Sequence, residues 1–363
     1  MRSSSTALFV LFFAGFLLAQ TNSASPGPSA KTAASSPSSL GSTLALHATS
    51  TMNVASEMGG AFMNPSKCDA DGNLYIRKYA SDRPLLGPVV KIDPDGKRVA
   101  RFDPAAFSQL ALDRADTFSP APDGGIYQIA QSGILKPQIY VLHFSSDGSP
   151  SSPTRLDADL EVYTFAAFAD GTFLVSGMQR DVQNKNDRGR NFTAVFSADG
   201  RELAQLSFAE VPGAAKPAAR AEVPKAGQKD AEKAAPSLDL SDAEVGSDGN
   251  LYVMRRASPA LVYVIAPSGK IMKTIKVDSP LPDAAPTAFH VSLNRLAISF
   301  WNEAGERQSV VVVDAQTGRK IATYADPGGL GASFACYSAN EGVFTFLQLG
   351  EGNALQVIRA EAQ

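Results

Sequence analysis

Two six-residue stretches, Asp71-Gly-Asn-Leu-Tyr-Ile76 and Asp248-Gly-Asn-Leu-Tyr-Val253, decide the fold of this chain of 363 residues. Each begins with an Asp-Gly pair, which tolerates the positive φ angles of tight hairpin turns, and continues into apolar and aromatic residues that favour strands. Weaker copies stand at Asp123-Gly-Gly-Ile-Tyr127 and Asp170-Gly-Thr-Phe-Leu-Val175. The repeat therefore predicts a chain built of β-hairpins.

A second type of turn alternates with the first. Its four copies are Ile92-Asp-Pro-Asp-Gly-Lys97, Phe144-Ser-Ser-Asp-Gly148, Phe196-Ser-Ala-Asp-Gly-Arg201 and Ile265-Ala-Pro-Ser-Gly-Lys270. Asp-Gly turns of the two types begin at residues 71, 95, 123, 147, 170, 199 and 248, and weaker turns follow at 268, 294, 317 and 341. Two turns make one four-stranded unit of about 48 residues, close to the ~40–50 residues of a propeller blade.

The number of turns predicts how the ring closes. Six blades of two hairpins need one turn more than the sequence shows, and the missing turn is the last one. The sixth blade then lacks its outer strand, and Leu44-Ala-Leu-His-Ala48 is placed to supply it. We therefore expect an all-β fold over residues 44–363, a six-bladed β-propeller of four-stranded antiparallel blades closed by an N-terminal strand, with no unpaired edge at the seam.

These paired motifs resemble the six-bladed propellers of the NHL-repeat type and their gluconolactonase-like and streptogramin-lyase-like relatives. The resemblance is specific for architecture. It leaves function open, because this fold hosts binding modules and enzymes alike.

Composition excludes several classes of protein. The formal net charge of −3 argues against a nucleic-acid binder, whose surface would be basic. Two cysteines are too few for a disulfide-dense scaffold or a four-cysteine zinc site. The sequence also contains neither a phosphate-binding Gly-Lys-Ser/Thr loop nor a Gly-x-Ser-x-Gly nucleophile motif.

The first residues predict export. Arg2 precedes an apolar run from Ala7 to Ala19, which is long enough for a signal peptide and too short for a membrane-spanning helix. We expect a signal peptide at 1–25, a Ser/Ala/Pro-rich spacer at 26–43 and a low-complexity insertion at 209–237. An uncleaved N-terminal anchor is the alternative. The mature chain is expected to be a periplasmic or secreted monomer without a stable membrane span.

Basic and aromatic residues follow the second strands of several predicted blades, on the face that carries the connections between blades. Such residues are typical of binding surfaces, although solvated loop ends explain them equally well. The preferred function is a binding or scaffold module without catalytic residues or cofactor, which recognises a protein or glycan on this loop-rich face. Its candidate ligand-binding residues are Lys78, Tyr79, Arg180, Arg255, Arg256, Trp301 and Asn302.

The family resemblance implies an alternative function, a hydrolase or lyase with one divalent metal such as calcium in the channel. In that reading the oxygen ligands are Glu57, Asp116 and Asp242. The set is incomplete, because Glu57 stands farther from its turn than in the family and the third blade offers no ligand. The lyase reading needs a channel histidine, and His290 lies on a predicted inner strand, where a structural role is commoner.

Cys68 and Cys336 are predicted to lie on the first strands of blades 1 and 6, which become neighbours when the ring closes. An oxidising compartment would allow a disulfide there. The expected separation of the two inner strands favours two separate buried thiols instead.

Overall fold

The computed structural model describes residues 43–54, 62–133, 137–158, 160–179, 189–208, 240–303, 306–328, 330 and 333–363. These residues form strands almost throughout, with two short 3-10 helices at Pro104–Leu110 and Glu351–Asn353. The strands are β1 (Thr43–Asn53), β2 (Phe62–Cys68), β3 (Leu74–Lys78), β4 (Val89–Ile92), β5 (Arg98–Phe102), β6 (Arg114–Pro120), β7 (Ile126–Ser132), β8 (Gln138–Phe144), β9 (Thr154–Arg155), β10 (Glu161–Ala167), β11 (Phe173–Gln179), β12 (Arg190–Phe196), β13 (Glu202–Gln205), β14 (Leu240–Val245), β15 (Leu251–Arg255), β16 (Ala260–Ile265), β17 (Ile271–Val277), β18 (Ala285–Ser292), β19 (Arg295–Asn302), β20 (Arg307–Asp314), β21 (Lys320–Ala325), β22 (Ser333–Ser338), β23 (Val343–Leu349) and β24 (Leu355–Ala362).

The strands are arranged as a β-propeller. Four separate sheets each contain four consecutive antiparallel strands: β2 to β5, β6 to β9, β10 to β13 and β14 to β17. The remaining strands form one eight-stranded sheet in the order β18-β19-β20-β21-β1-β24-β23-β22. The prediction of an all-β propeller is confirmed. The structure shows four separate blades and one larger sheet where the sequence predicted six blades.

The first strands of successive groups surround a central channel. β2, β6, β10, β14, β18 and β22 each contact the next in this order, and β22 contacts β2. Buried apolar side chains fill the spaces between neighbouring sheets. One such cluster joins Val264 of β16 to Phe300 of β19, and another joins Val141 of β8 to Phe165 of β10. Burial of such side chains, worth about 25 cal/mol per Å² of apolar surface, holds one sheet against the next.

The Asp-Gly motif has the predicted turn geometry. Gly72 and Gly249 have φ angles of 78° and 77°, which favour glycine. The tyrosine of each copy explains the rest of the motif, because its hydroxyl donates a hydrogen bond to an aspartate of the same turn. Tyr252 bonds to Asp248 at 3.1 Å, whereas Tyr75 bonds to Asp69 at 3.0 Å.

The N-terminal strand β1 is longer than the predicted Leu44–Ala48 and begins inside the predicted spacer. It pairs antiparallel with β24, from Leu46 opposite Ala362 to Asn53 opposite Gln356. Its first three residues also pair in parallel with β21. β1 therefore lies between β21 and β24 and joins the two halves of the eight-stranded sheet.

Cys68 of β2 and Cys336 of β22 form a disulfide with a Cα–Cα distance of 6.1 Å. This distance lies within the range of roughly 4.4–6.8 Å that a disulfide requires. The expectation of two separate thiols assumed that the first strands lie too far apart, but β2 and β22 contact each other. The bridge joins two strands of different sheets.

Three sequence-based predictions fall outside the described residues. They are the signal peptide at 1–25, all but Thr43 of the spacer at 26–43, and the insertion at 209–237. Within the part of the chain that the structure describes, no helix is long and apolar enough to cross a membrane.

Candidate functional site

A cavity of about 740 Å³ opens at one end of the central channel. Its wall includes residues from β2, β6, β10, β14, β18 and β22, mostly from the halves where these strands begin. Arg77, Arg256 and Trp301 line it from the ends of second strands, which reach the same face because they run antiparallel to the first strands. The volume falls in the range of ~300–1,000 Å³ that small-molecule sites occupy.

Irregular pairing shapes the wall. Each first strand shows a register shift against its second strand near the cavity, for example between Val162 and Thr164 in β10 and between Leu240 and Asp242 in β14. A β-bulge inserts an extra residue and redirects the neighbouring side chains. The extra residues Tyr163, Ser241 and Thr287 all line the cavity. The bulges therefore bring polar and aromatic side chains to the cavity wall at positions where a regular strand would point every second side chain away from it.

Two arginines hold one carboxylate in the wall. Arg114 Nε lies 2.6 Å from one oxygen of Asp116, and Arg77 Nη1 lies 3.6 Å from the other. Arg77 also donates a hydrogen bond of 2.7 Å to the carbonyl oxygen of Ala115. Burial lowers the pKa of Arg77, and the charge of Asp116 opposes this shift. Asp116 thus fixes the two guanidinium groups in place and cancels one of their charges.

A buried charge cluster forms the channel wall beside the cavity. The Lys67 ammonium group forms an ion pair with Asp242, donates a hydrogen bond of 2.9 Å to the Ala243 carbonyl and lies 3.9 Å from Glu244. Glu244 in turn lies 3.0 Å from His290 Nδ1. All four ionisable side chains are at most 9% exposed. Lys67 and Glu244 pair with the motif tyrosines Tyr75 and Tyr252, so they occupy equivalent positions on their strands.

The pKa values of the two carboxyl groups shift in opposite directions. Burial raises the pKa of Asp242, and the ion pair with Lys67 opposes this shift. Burial also acts on Glu244, but His290, Lys67 and the Val291 amide together lower its pKa. The Val291 amide donates a hydrogen bond of 2.9 Å to this carboxylate. A charged Glu244 is therefore the form that the fold stabilises.

Hydroxyl groups and aromatic rings complete the cavity wall. Thr164 and Thr287 are engaged with the protein, because Thr164 donates to the Leu240 carbonyl at 2.7 Å and Thr287 contacts Ser299. Within the described part of the chain, the hydroxyl groups of Ser66, Thr117 and Ser333 have no hydrogen-bond partner. The aromatic residues of the wall are Phe118, Tyr163, Phe289, Trp301 and Phe334. The wall thus combines apolar surface with a few polar groups, as binding sites do.

The structure brings only part of the predicted binding surface together. Arg256 and Trp301 line the cavity. Lys78 is only 9% exposed, and burial lowers its pKa, with Arg101 adding to the shift. Tyr79 is 49% exposed, and neither it nor Lys78 lines the cavity.

The other predicted binding residues also lie away from the cavity wall. The side-chain amide of Asn302 donates a hydrogen bond of 2.5 Å to the Pro282 carbonyl. Arg255 precedes Arg256 and does not line the cavity. Arg180 lies outside the described residues.

The residues predicted as metal ligands do not form a cation site among the described residues. Asp116 and Asp242 both line the cavity, but Asp116 is held by arginines and Asp242 by Lys67. Glu57 falls outside the described residues. The described part of the chain contains no group of three or more His, Cys, Asp or Glu side chains that would hold a metal ion. A hard cation needs several free oxygen ligands, so these residues do not fit one.

Sequence reasoning missed Arg77, Arg114, Lys67, Glu244 and the partner of His290. Arg77 directly precedes the predicted Lys78 at the end of β3, and the alternation of side chains along a strand decides which of the two faces the channel. The equivalent position in each first strand, counted back from its Asp-Gly turn, would have placed Lys67 and Glu244 on one level of the channel. That count was available in the sequence.

The sequence matches no protein-family model, and it matches no curated protein. Solved structures do match. The chain is 12% identical to a protein of unknown function from Dyadobacter fermentans, with 88% of this chain and 99% of that chain covered and a TM-score of 0.51. It is 15% identical to a protein of unknown function from Bacteroides thetaiotaomicron, with coverage of 88% and 75% and a TM-score of 0.47. It is 10% identical to the WD40 domain of Neurospora crassa Pan2, with coverage of 88% and 96% and a TM-score of 0.46. Similarity at this level concerns the fold alone.

Proposed function

We propose that this protein is a non-catalytic binding propeller that recognises an anionic group on a protein or glycan partner in the cavity at the end of its channel. The observation that carries the proposal is the charge of the wall. Three arginines, Arg77, Arg114 and Arg256, face a cavity whose two carboxylates already have basic partners.

Arg256 is the residue available to a ligand. It is exposed at the cavity, and within the described part of the chain no carboxylate lies within 4 Å of it. A guanidinium group presents several donors in a planar fork, which suits carboxylate and phosphate groups. Arg77 and Arg114 are fixed by Asp116 and provide a preorganised positive field behind it.

The proposal includes the finer architecture. The eight-stranded sheet consists of two four-stranded blades, β18 to β21 and β22 to β24 with β1, and makes the ring six-bladed, as in NHL-type propellers. The contacts of the six first strands around the channel support this count. The pairing of β1 with β24 supports closure by the N-terminal strand. A closed ring holds the arginines from different blades at fixed separations.

Export is also part of the proposal. The apolar run at the start of the chain supports a signal peptide, and the disulfide between Cys68 and Cys336 fits an oxidising compartment. The periplasm or the extracellular space would then bring the cavity into contact with glycans and with other exported proteins.

The alternative of a metal-dependent lactonase-like enzyme has less support. Its proposed ligands Asp116 and Asp242 are paired with basic side chains, which would have to be displaced before a cation could bind. The family resemblance remains the only argument for it.

Binding of the full-length protein to arrayed acidic and neutral glycans and to acidic peptides tests the proposed function. We expect retention of acidic probes at low salt and none of their neutral counterparts. Arg256→Glu should abolish retention because it replaces the available cation with a like charge. The matched control is Arg319→Glu, which changes an exposed arginine in the turn before β21, outside the cavity wall.

Equal retention of neutral and acidic probes would overturn the proposal. So would unchanged retention by Arg256→Glu at the same ionic strength. Both variants should melt at the temperature of the parent protein, because exposed substitutions usually change stability by no more than ~0.5 kcal/mol.

A further inference from the structure

We infer that the anionic group is the single carboxylate of a sugar acid, a uronic acid or the end of a uronic-acid-containing glycan. This inference rests on the proposed function and narrows its ligand to one chemical class. It follows from three features of the cavity: its charge, its unpaired hydroxyl groups and its exposed aromatic side chains.

The charges of the wall favour a monoanion. Asp116 compensates one arginine of the pair that holds it, and Lys67 compensates Asp242. Glu244, behind the wall, carries the charge that His290 and Lys67 stabilise. Apart from His290, the wall and the cluster behind it hold four cations and three carboxylates, which leaves one positive charge in excess, on the side of the exposed Arg256. The cations are Arg77, Arg114, Arg256 and Lys67, and the carboxylates are Asp116, Asp242 and Glu244. A dianionic phosphate would exceed this single positive charge, and a neutral sugar would leave it unmatched.

The hydroxyl groups favour a sugar over a peptide. Ser66, Thr117 and Ser333 come from three different strands, and each can both donate and accept a hydrogen bond. Ser66 is only 7% exposed and lines the cavity, so its hydroxyl, which has no hydrogen-bond partner among the described residues, is accessible from the cavity. The hydroxyl groups of a sugar can donate hydrogen bonds to these side chains or accept hydrogen bonds from them. A peptide would bring backbone N–H donors, which need acceptors. The wall carboxylates that could accept these hydrogen bonds are already held by basic side chains.

Aromatic residues supply a surface for the sugar ring. Tyr163 is 47% exposed and Trp301 is partly exposed, and both line the cavity. A flat aromatic ring with a polar edge accommodates a ligand that is apolar on its faces and polar on its rim. The C–H groups on the face of a pyranose are such an apolar surface, so the ring would lie against an aromatic side chain while its carboxylate meets Arg256.

The chain contains a reporter for this site, because Trp301 is its only tryptophan. We would titrate the full-length protein with galacturonate and its short oligomers, following tryptophan fluorescence and the heat of binding. The comparison ligands are galactose and its neutral oligomers, galactose phosphate, and a short acetylated peptide with a free carboxylate. We expect the uronate oligomers to bind at least tenfold more tightly than each comparison ligand.

Two variants separate the contribution of Arg256 to binding from that of the hydroxyl groups. Arg256→Gln should weaken uronate binding at least tenfold, to the level of the neutral oligomer, because a hydrogen bond to a charged group is commonly worth about 1.5–3 kcal/mol. The double variant Ser66→Ala with Thr117→Val should weaken both sugars and leave the affinity for the carboxylate peptide unchanged. Arg319→Gln is the matched control and should bind as the parent does.

The outcomes distinguish this inference from the proposed function. Tight binding of the phosphate or the peptide, with loss in Arg256→Gln, would overturn the sugar-acid inference and leave an anion-binding cavity. Absence of binding by every anion, seen by heat as well as by fluorescence, would overturn both. Equal binding of uronate and neutral sugar would also overturn both.

Discussion

The cavity and the buried charge cluster beside it share first strands of the ring, but their charged side chains differ in whether they have partners. In the cluster, Lys67, Asp242, Glu244 and His290 form a chain of contacts, and each side chain is at most 9% exposed. At the cavity, Arg256 is exposed without a described carboxylate nearby. Compensated charge in the cluster joins three first strands, whereas uncompensated charge at the cavity is available to a ligand. The difference shows how one channel serves both stability and recognition.

The largest expected effect comes from breaking the cluster at Lys67. Lys67→Met removes the cation and leaves Asp242 buried beside Glu244. Removal of one partner of a buried ion pair commonly costs about 3–5 kcal/mol. We expect a loss of that size in urea unfolding. The exposed Lys276→Met is the matched control and should change stability by no more than ~0.5 kcal/mol. A loss below ~1 kcal/mol for Lys67→Met would show that water reaches the cluster.

The disulfide directly follows Lys67 in the chain and joins the same strand, β2, to its neighbour β22. Cys68→Ser with Cys336→Ser should lower the unfolding free energy by about 2–4 kcal/mol, because the unfolded chain is no longer constrained. Reductant should lower the stability of the parent protein and leave the double variant unchanged. Two titratable thiols in the denatured, unreduced parent protein would contradict the bridge.

Glu244 makes the cluster sensitive to acid. The pKa of this carboxyl group lies below its ordinary value of 4.5, so its stabilising effect is fully present above that pH and is lost as pH falls through the lowered pKa. Asp242, whose pKa is raised, acts in the opposite sense. Glu244→Gln should cost about 1.5–3 kcal/mol at neutral pH, the value of charged hydrogen bonds. It should also flatten the fall of melting temperature below pH 4.5. An unchanged acid profile would contradict the assignment.

The smallest effect is expected from chelation. If the carboxylates of the cavity are already paired with basic side chains, EDTA should leave the melting temperature unchanged within error. The metal content of the purified protein should then fall far below one ion per chain. One tightly bound divalent ion, with a large fall in melting temperature on its removal, would contradict this account of the cavity and restore the lactonase-like alternative.

The sequence predicted the hairpins and their order better than the site. Turn positions depend on local backbone preferences, so Asp71-Gly72 and Asp248-Gly249 could be read directly. The cavity depends on bulges, which shift which residue of a strand faces the channel, and Asp-Gly spacing does not reveal them. The ion pair of Lys67 with Asp242 joins residues 175 positions apart, and only closure of the channel brings them together.

The place of β1 between β21 and β24 has a consequence for the order of events during synthesis. The side-chain amide of Gln356 donates a hydrogen bond to the side-chain oxygen of Asn53, 303 residues away in the chain. During synthesis β1 must therefore wait for β24, because all the other described strands lie between them in the chain. Until then its edge is an unpaired template that can recruit another chain. For a protein of this design, the time between translation of the two strands is the period of greatest exposure to aggregation, and a chaperone that covers β1 would act during it.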